Sequence, residues 1–443
     1  MKNISRRNFL VNSSVVGTTA LAAPMVVSAS MFGTEAPSNQ VNVGLIGCRN
    51  MGFYILERHL RIPGVKCLGL CDIDENILIE KAATVEKEFG HKPKLYRDFR
   101  KMLEDKDIDV IIVGTPDHWH CLQTVYACQA GKDVYVEKPM ANSVEECNIM
   151  VRAANSYNRI VQVGQQQRSG KLWSSVIDHV RSGKIGTLRK INIWGNYTYG
   201  IGGPVVPDSS APPGVDYDMW LGPAPKRAFN ESRYHRYWRF FWNYGGGVIT
   251  DWGAHLIDMA LWAKEIARAP ETVHAFGKNL SLSNNAHEAF DTMSVIYPMD
   301  DCLITWDHTG GITNGPWDKN YGLAFVGDDG TLVVNRDGGA VIPEVDPITN
   351  SNNTEEFTFA PDPDNHSVHV KNFIDCVKSR ETPACPPETG RVVATFAHMA
   401  NIAARTGEGK LVWDDRKSSF RNSPKANELI TPVYRKPWEL PKI

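Results

Sequence analysis

Apolar and polar positions follow two different grammars along the chain, and the change falls near Val163. From Val41 onward, short and wholly apolar runs are separated by stretches with helical spacing. Val41–Ile46, Val65–Leu70, Val110–Val113, Asp133–Val136 and Ile160–Val163 read as buried parallel strands. The stretches to about Leu60, from about His118 to Ala130 and from Ser143 to about Tyr157 read as helices, the last opened by a capping box of Ser143 and Glu146. This alternation predicts an α/β fold with a doubly wound parallel sheet and ligands at the carboxyl ends of its strands. After Val163 comes a helix from about Leu172 to Ser182. Strand-like runs follow at Leu188–Trp194, Thr272–Gly277, Thr292–Tyr297, Asp301–His308, Tyr321–Val326 and Thr331–Val334. Few helices separate them, so they predict an α+β domain with a mainly antiparallel sheet. Helices at about His366–Lys378 and Glu388–Ala404 return to the body. The expected boundaries are 41–163, 164–410 and a polar arm, 411–443, laid over the surface or over a neighbouring subunit.

The first forty residues are of another kind. Ser5-Arg6-Arg7-Asn8-Phe9-Leu10 is a twin-arginine pattern, followed by a weakly apolar stretch to Val27 and small residues such as Ala23 and Ala29. Polar residues and Pro24 make that stretch a poor membrane span, so residues 1–30 read as a Tat export signal and the protein as periplasmic. Residues 34–40 read as a linker. A formal net charge of −2 leaves no basic excess for nucleic acid. Nine cysteines without a Cys-x-x-Cys read as buried thiols, and no metal-ligand spacing is visible.

Chemistry-bearing residues cluster at the predicted strand ends. Gly47-Cys48-Arg49-Asn50-Met51-Gly52 follows the first strand and opens a helix, a dinucleotide-binding loop with arginine at its middle glycine. Asp72 lies twenty residues beyond Gly52, where an acid bonds the adenosine ribose. Its charge repels a 2′-phosphate and favours NAD over NADP, while Arg49 offers a countercharge to such a phosphate. Glu137-Lys138-Pro139 closes another strand; an ammonium there can stabilise an alkoxide. The stretch Tyr244–Asp258 carries three glycines and then Asp251, His255 and Asp258 at spacings of four and three. On one helix these share a face, and a carboxylate beside an imidazole sets its tautomer. The competing reading makes Asp251 a helix cap. Between Tyr197 and Tyr244 lies an aromatic insertion containing Arg236, Trp238 and further Arg, Tyr and Trp residues, suited to sugar stacking, to a core or to an interface. Gln165, Gln167 and Arg168 are candidate substrate-pocket groups.

Together, Gly44–Gly52, Thr115-Pro116, Glu137-Lys138-Pro139 and Asp251 with His255 resemble the glucose–fructose oxidoreductase / inositol dehydrogenase / MocA family, over roughly Val41–Ala404. The resemblance implies an N-terminal Rossmann domain binding NAD(P). It also implies a second domain whose open antiparallel sheet carries substrate residues and mediates assembly, here as a homodimer or homotetramer. It further implies Lys138 as the catalytic lysine, His255 as general base and Asp251 as the acid orienting it. Thr115, Pro116, His120 and Glu137 would line the cofactor groove, and Asp258 would bind a substrate hydroxyl or support its helix.

Export and NAD together point to a tightly bound cofactor that is recycled in place. Three functions fit that constraint. One is an oxidoreductase acting on a secondary hydroxyl of a sugar, glycoside or cyclitol. Another is an NAD-dependent glycosidase that oxidises, eliminates, hydrates and reduces. The third is a non-catalytic sugar or cofactor binder. The intact Glu-Lys-Pro motif favours the first, since the exported glycosidases of similar sequence tend to lack that lysine.

Overall fold

A computed structural model describes residues 40–443, of which Val41–Ile443 fold as one unit. The expected export signal, and all of the linker but Gln40, lie outside the described residues. Six strands form the first sheet: β1 (Val41–Ile46), β2 (Val65–Cys71), β3 (Lys94–Tyr96), β4 (Val110–Val113), β5 (Asp133–Val136) and β6 (Val161–Val163). Their order is β3-β2-β1-β4-β5-β6 and every pairing is parallel. Both faces are covered, so side chains alternate between two cores. Val110 and Ile112 join one, while Ile111 and Val113 join the other. The first core also takes Val370, Phe373 and Ile374 from the helix Asn365–Ser379. A C-terminal helix thus completes the N-terminal domain.

Twelve further strands follow: β7 (Lys190–Gly195), β8 (Gly203–Pro204), β9 (Thr272–Lys278), β10 (Asn285–Ala286), β11 (Thr292–Pro298), β12 (Leu303–Thr309), β13 (Tyr321–Val326), β14 (Gly330–Asn335), β15 (Gly338–Pro343), β16 (Phe357–Phe359), β17 (Lys410–Asp414) and β18 (Ser419–Phe420). Ten of them make one sheet in the order β16-β15-β14-β13-β7-β12-β11-β9-β17-β18, in which only β7 and β12 run parallel. In β11 buried and exposed residues alternate, as expected for a sheet with one face on a core. That core joins Trp306, Ile193 and Tyr297 to the helices Lys171–Arg181, Gly253–Ala263 and Pro387–Thr406. Among the described residues no helix is long and apolar enough to cross a membrane. All nine cysteines are free and buried.

Three expectations need correction. The pair β15 and β16 went unseen, because Gly338-Gly339 suppresses the strand signal. Lys410–Asp414 belongs to the sheet, pairing antiparallel with β9 and turning Leu411 and Trp413 inward, so the arm begins later than residue 411. The capping box is only half made. Ser143 Oγ accepts from Glu146 N at 3.2 Å, but Glu146 Oε1 accepts instead from Tyr434 Oη at 2.5 Å.

That last contact belongs to a strap. The end of the chain crosses back onto its own N-terminal domain, where Trp438 sits edge-on to Trp119 and stacks on Phe99. Arg435 bonds Asp218 and the carbonyl of Gly222, tying the aromatic insertion under the same strap. Trp438→Ala should therefore cost about 3–5 kcal/mol of unfolding free energy in urea titrations. Burial pushes the Glu146 carboxyl from 4.5 up to about 7, against the opposing hydrogen bonds of Tyr434 and Ser143. The folded state then holds a proton that the unfolded chain releases, so this stability is present below 4.5 and lost as pH rises through about 7. Glu146→Gln should flatten the fall in unfolding free energy between those values by about 3 kcal/mol; an unchanged slope would assign the titration to another group.

Candidate active site

The loop after β1 is shaped by contacts that exclude side chains. Gly47 has φ +87°, and a Cβ on Gly52 would lie 2.1 Å from the Gly47 carbonyl oxygen. Arg49, at the nominal middle glycine, has φ −95° and ψ 160°. That is extended backbone any residue adopts, so the departure from glycine costs nothing there. At the end of β2, Asp72 accepts from Cys48 N at 2.7 Å and Asp74 N at 3.0 Å. Burial raises its pKa, with those two amides opposing.

These pieces wall a groove over the carboxyl ends of the parallel strands. Gly47, Arg49, Asn50, Met51, Asp72, Thr115, Pro116, Glu137 and Lys138 line it from the N-terminal domain. The insertion contributes Trp220, His235, Trp238 and Arg239. Cys48 and Gly52 lie behind the lining: the Cys48 thiol is buried, and Gly52 packs on Gly47 and Gly114. His120 is a correction. It is buried away from the groove, its Nδ1 on Pro139 O and its Nε2 on Thr115 O, both at 2.8 Å, where it ties the Thr115 and Pro139 turns together.

A second cavity opens on the other side of Lys138 and shares Asn50, Met51, Glu137, Lys138, His235 and Arg239 with the groove. Its further lining includes Tyr199, Arg236, Asp251, Trp252, His255, Arg336 and His366. Lys138 Nζ donates to Asp251 Oδ1 at 2.5 Å and to the Asp251 carbonyl at 3.2 Å. Arg239 Nε donates to Asp251 Oδ1 and Tyr199 Oη to Oδ2, each at 3.1 Å. Burial alone would raise the Asp251 carboxyl; the Lys138 and Arg239 charges overcome it and hold it below the usual carboxylate range. At Glu137 the same two charges are outweighed, and burial pushes it up to about 7.

Asp251 does not orient His255. The helix breaks at Trp252, between Val248–Asp251 and Gly253–Ala263, and the carboxylate is taken by Lys138, Arg239 and Tyr199. Nor is Asp251 a cap, because Gly247 occupies that position. His255 is held through its own backbone, whose carbonyl accepts from Gln167 Nε2 at 3.3 Å. Burial, then the Arg336 and Lys138 charges, push its pKa well below 6.5, so the ring is neutral, and its buried Nδ1 has no hydrogen-bond partner among the described residues.

The remaining candidates separate cleanly. Arg236 lines the second cavity, whereas Trp238 lines the groove under Arg239, 4.3 Å from its ring centroid. Gln167 is wholly buried and acts behind the cavity wall on His255 and Arg336. Arg168 and Asp258 pair with each other, Nε to Oδ1 at 2.8 Å and to Oδ2 at 3.0 Å, with Asp258 fully buried. That pair supports the helix and line neither cavity. The insertion mostly packs on itself: Trp220, Phe229, Tyr234, Trp238, Phe241 and Tyr244 form their own small core. Sequence reading missed Tyr199, Arg336 and His366 altogether. Arg239 stood unremarked in the Arg-aromatic run, where alternation of types was the one available signal.

Comparison with known proteins agrees with this architecture. Residues 41–165 match the oxidoreductase family's NAD-binding Rossmann fold, and residues 193–440 match its C-terminal alpha/beta domain. Similar solved structures include aldose-aldose oxidoreductase from Caulobacter crescentus, complexed with glycerol (TM-score 0.63, 18% identity, 84% of this chain and 100% of that one). Levoglucosan dehydrogenase with NADH and levoglucosan gives the same TM-score of 0.63 and 18% identity, covering 84% of this chain and 99% of that one. At such identity the likeness is one of fold. Among curated sequences, a glycosyl hydrolase family 109 protein of Shewanella baltica (strain OS185) is 30% identical over 206 residues, covering 42% of this chain. An alpha-N-acetylgalactosaminidase of Shewanella oneidensis is 28% identical over the same length. The chain spans 45% of the length of these relatives. With both domain models matched in order, and with the glycine loop and Asp72 walling a groove that fits a dinucleotide, the chain belongs to the Gfo/Idh/MocA family of NAD-binding oxidoreductases.

Proposed function

We propose that the protein oxidises a secondary hydroxyl of a sugar, glycoside or cyclitol with NAD(P), NAD being preferred. The observation carrying this reading is the position of Lys138, which faces the dinucleotide groove and the second cavity at once while pinned to Asp251 at 2.5 Å. NAD bound in the groove supplies a hydride acceptor beside that lysine. Lys138 donates to the substrate hydroxyl oxygen and stabilises the negative charge that grows on it. Asp251 fixes the ammonium in place. His255, neutral and with Nδ1 unpartnered, takes the hydroxyl proton. The twin-arginine segment supports export to the periplasm, with the cofactor bound before export and recycled in place. Homodimer or homotetramer assembly through the second domain's sheet completes the reading.

A second reading has one observation in its favour, the names of the glycosyl hydrolase family 109 relatives. In it the same groups run oxidation, elimination, hydration and reduction on one sugar, giving net hydrolysis. Incubation with a glycoside panel separates the two. A keto-sugar supports the oxidoreductase, and hydrolysis without a second substrate supports the glycosidase.

Lys138→Met should lower turnover on the order of 10²–10³-fold while NAD(H) binding survives; retained turnover would remove the lysine from the mechanism. Asp72→Ala should weaken NAD(H) binding by tenfold or more, measured by calorimetry, and narrow the preference over NADP(H).

A further inference from the structure

Arg336 occupies the turn between β14 and β15 and lines the second cavity. Among the described residues it takes part in no ion pair, and each of its close partners is neutral. Its Nε and Nη2 donate to Gln167 Oε1 at 3.2 and 3.1 Å. The Gln166 amide, oriented as its neighbours require, accepts from Arg336 Nη2 at 3.2 Å and His366 Nε2 at 3.0 Å. The guanidinium lies over Trp252, 4.7 Å from the ring centroid. Its Nη1 has no hydrogen-bond partner among the described residues.

The neighbouring buried cations are treated differently. Lys138 and Arg239 share Asp251, and Arg168 has Asp258 to itself. Around the second cavity Lys138, Arg236, Arg239 and Arg336 face two carboxylates, Asp251 and Glu137. Burial pushes Glu137 up to about 7, so near neutrality it is only partly ionised. Burial likewise pulls the Arg336 pKa down, and the charge of Asp251, which makes no ion pair with it, does not offset that. A partly buried guanidinium fixed by two amides and an aromatic face, with no ion-pair partner, is suited to a ligand that supplies the anion.

We infer that the substrate is a sugar acid whose carboxylate is received by Arg336, with the hydroxyl to be oxidised presented to Lys138 and His255. This rests on the oxidoreductase reading above and specifies its substrate. A carboxylate oxygen can accept from the N–H donors left on Nη1, in a bond strengthened by the opposite charges. Arg336, Lys138 and His255 line the same cavity, so one ligand can meet all three.

The test compares binding of D-glucuronate, D-galacturonate and D-gluconate with that of D-glucose, D-galactose and glucose 6-phosphate to the holoenzyme, by calorimetry, with NAD reduction followed in parallel. At least one acid should bind on the order of 10- to 100-fold tighter than its neutral counterpart. R336Q should erase that advantage and R336K should keep part of it, with circular dichroism and NAD(H) binding reporting that each variant folds. Acids binding no better than neutral sugars in the wild-type protein would overturn the inference, whatever the variants do. So would an advantage that persists in R336Q, or tight binding confined to glucose 6-phosphate. Oxidation of neutral sugars without acid preference would sink this inference and leave the oxidoreductase reading standing. Arg336-dependent binding of acids without any NAD reduction would keep the carboxylate subsite and overturn the oxidoreductase reading together with the oxidation step.

Discussion

The contact between Lys138 and Asp251 governs the rest of the site. Both side chains are nearly buried, and they meet at 2.5 Å across the seam between the parallel sheet and the second domain. Taking two ions out of water costs several kcal/mol each, and the attraction repays this only with good geometry and further hydrogen bonds. Arg239 and Tyr199 supply those bonds, and Trp252 Nε1 in turn donates to Tyr199 Oη at 2.5 Å. The seam must therefore hold its register. Asn142 Nδ2 bonds the Trp242 carbonyl and Asn401 Nδ2 the Gly246 carbonyl, pinning the glycine run that leads to Asp251 from two sides.

The same pair explains the arrangement around His255. A carboxylate already bound by an ammonium, a guanidinium and a phenol has little left for an imidazole. No hydrogen bond joins Asp251 to the His255 ring among the described residues, despite the spacing of four. The ring instead stands beside Trp252 and is placed by Gln167 acting on its carbonyl. Burial and the surrounding positive charge lower the ring's affinity for a proton, which is why it stays neutral.

Legibility followed the locality of each signal. β1 and β4 were plain because a strand buried on both faces is one continuous apolar run, and β11 was plain because it alternates. β15 begins with two glycines and gave no such signal; β17 was hidden in a stretch that looked like a polar arm. In the site, contiguous motifs announced themselves: the glycine loop with Asp72, then Glu137-Lys138-Pro139. Arg336 did not, because a single arginine in a hairpin turn acquires its meaning only when the turn folds against Gln166 and Gln167, some 170 positions earlier in the chain. For Asp258, of the two alternatives the spacing left open, substrate binding and helix support, the structure gives the second. Its spacing from His255 was right for a shared face, but Arg168 claims it beneath the cavity.

The insertion and the C-terminal strap turn an open groove into a walled one. The Trp220 carbonyl accepts from Trp119 Nε1 and bonds His118 Nε2, both at 3.0 Å, clamping the insertion to the helix Asp117–Gln129. Burial pushes His118 down to about 4, so it stays neutral and keeps that bond across the physiological range. Arg435 then ties the far side of the same loop, and Trp438 seals the edge against Phe99. Opening this wall means breaking buried hydrogen bonds and separating aromatic faces together, a cooperative cost rather than a loop fluctuation. For the proposed exported enzyme, a groove walled in that way would favour keeping a dinucleotide over exchanging it. Retention of that kind is what a redox enzyme needs where free cofactor is not replenished, so the outer wall bears on the proposed export as directly as the catalytic seam bears on chemistry.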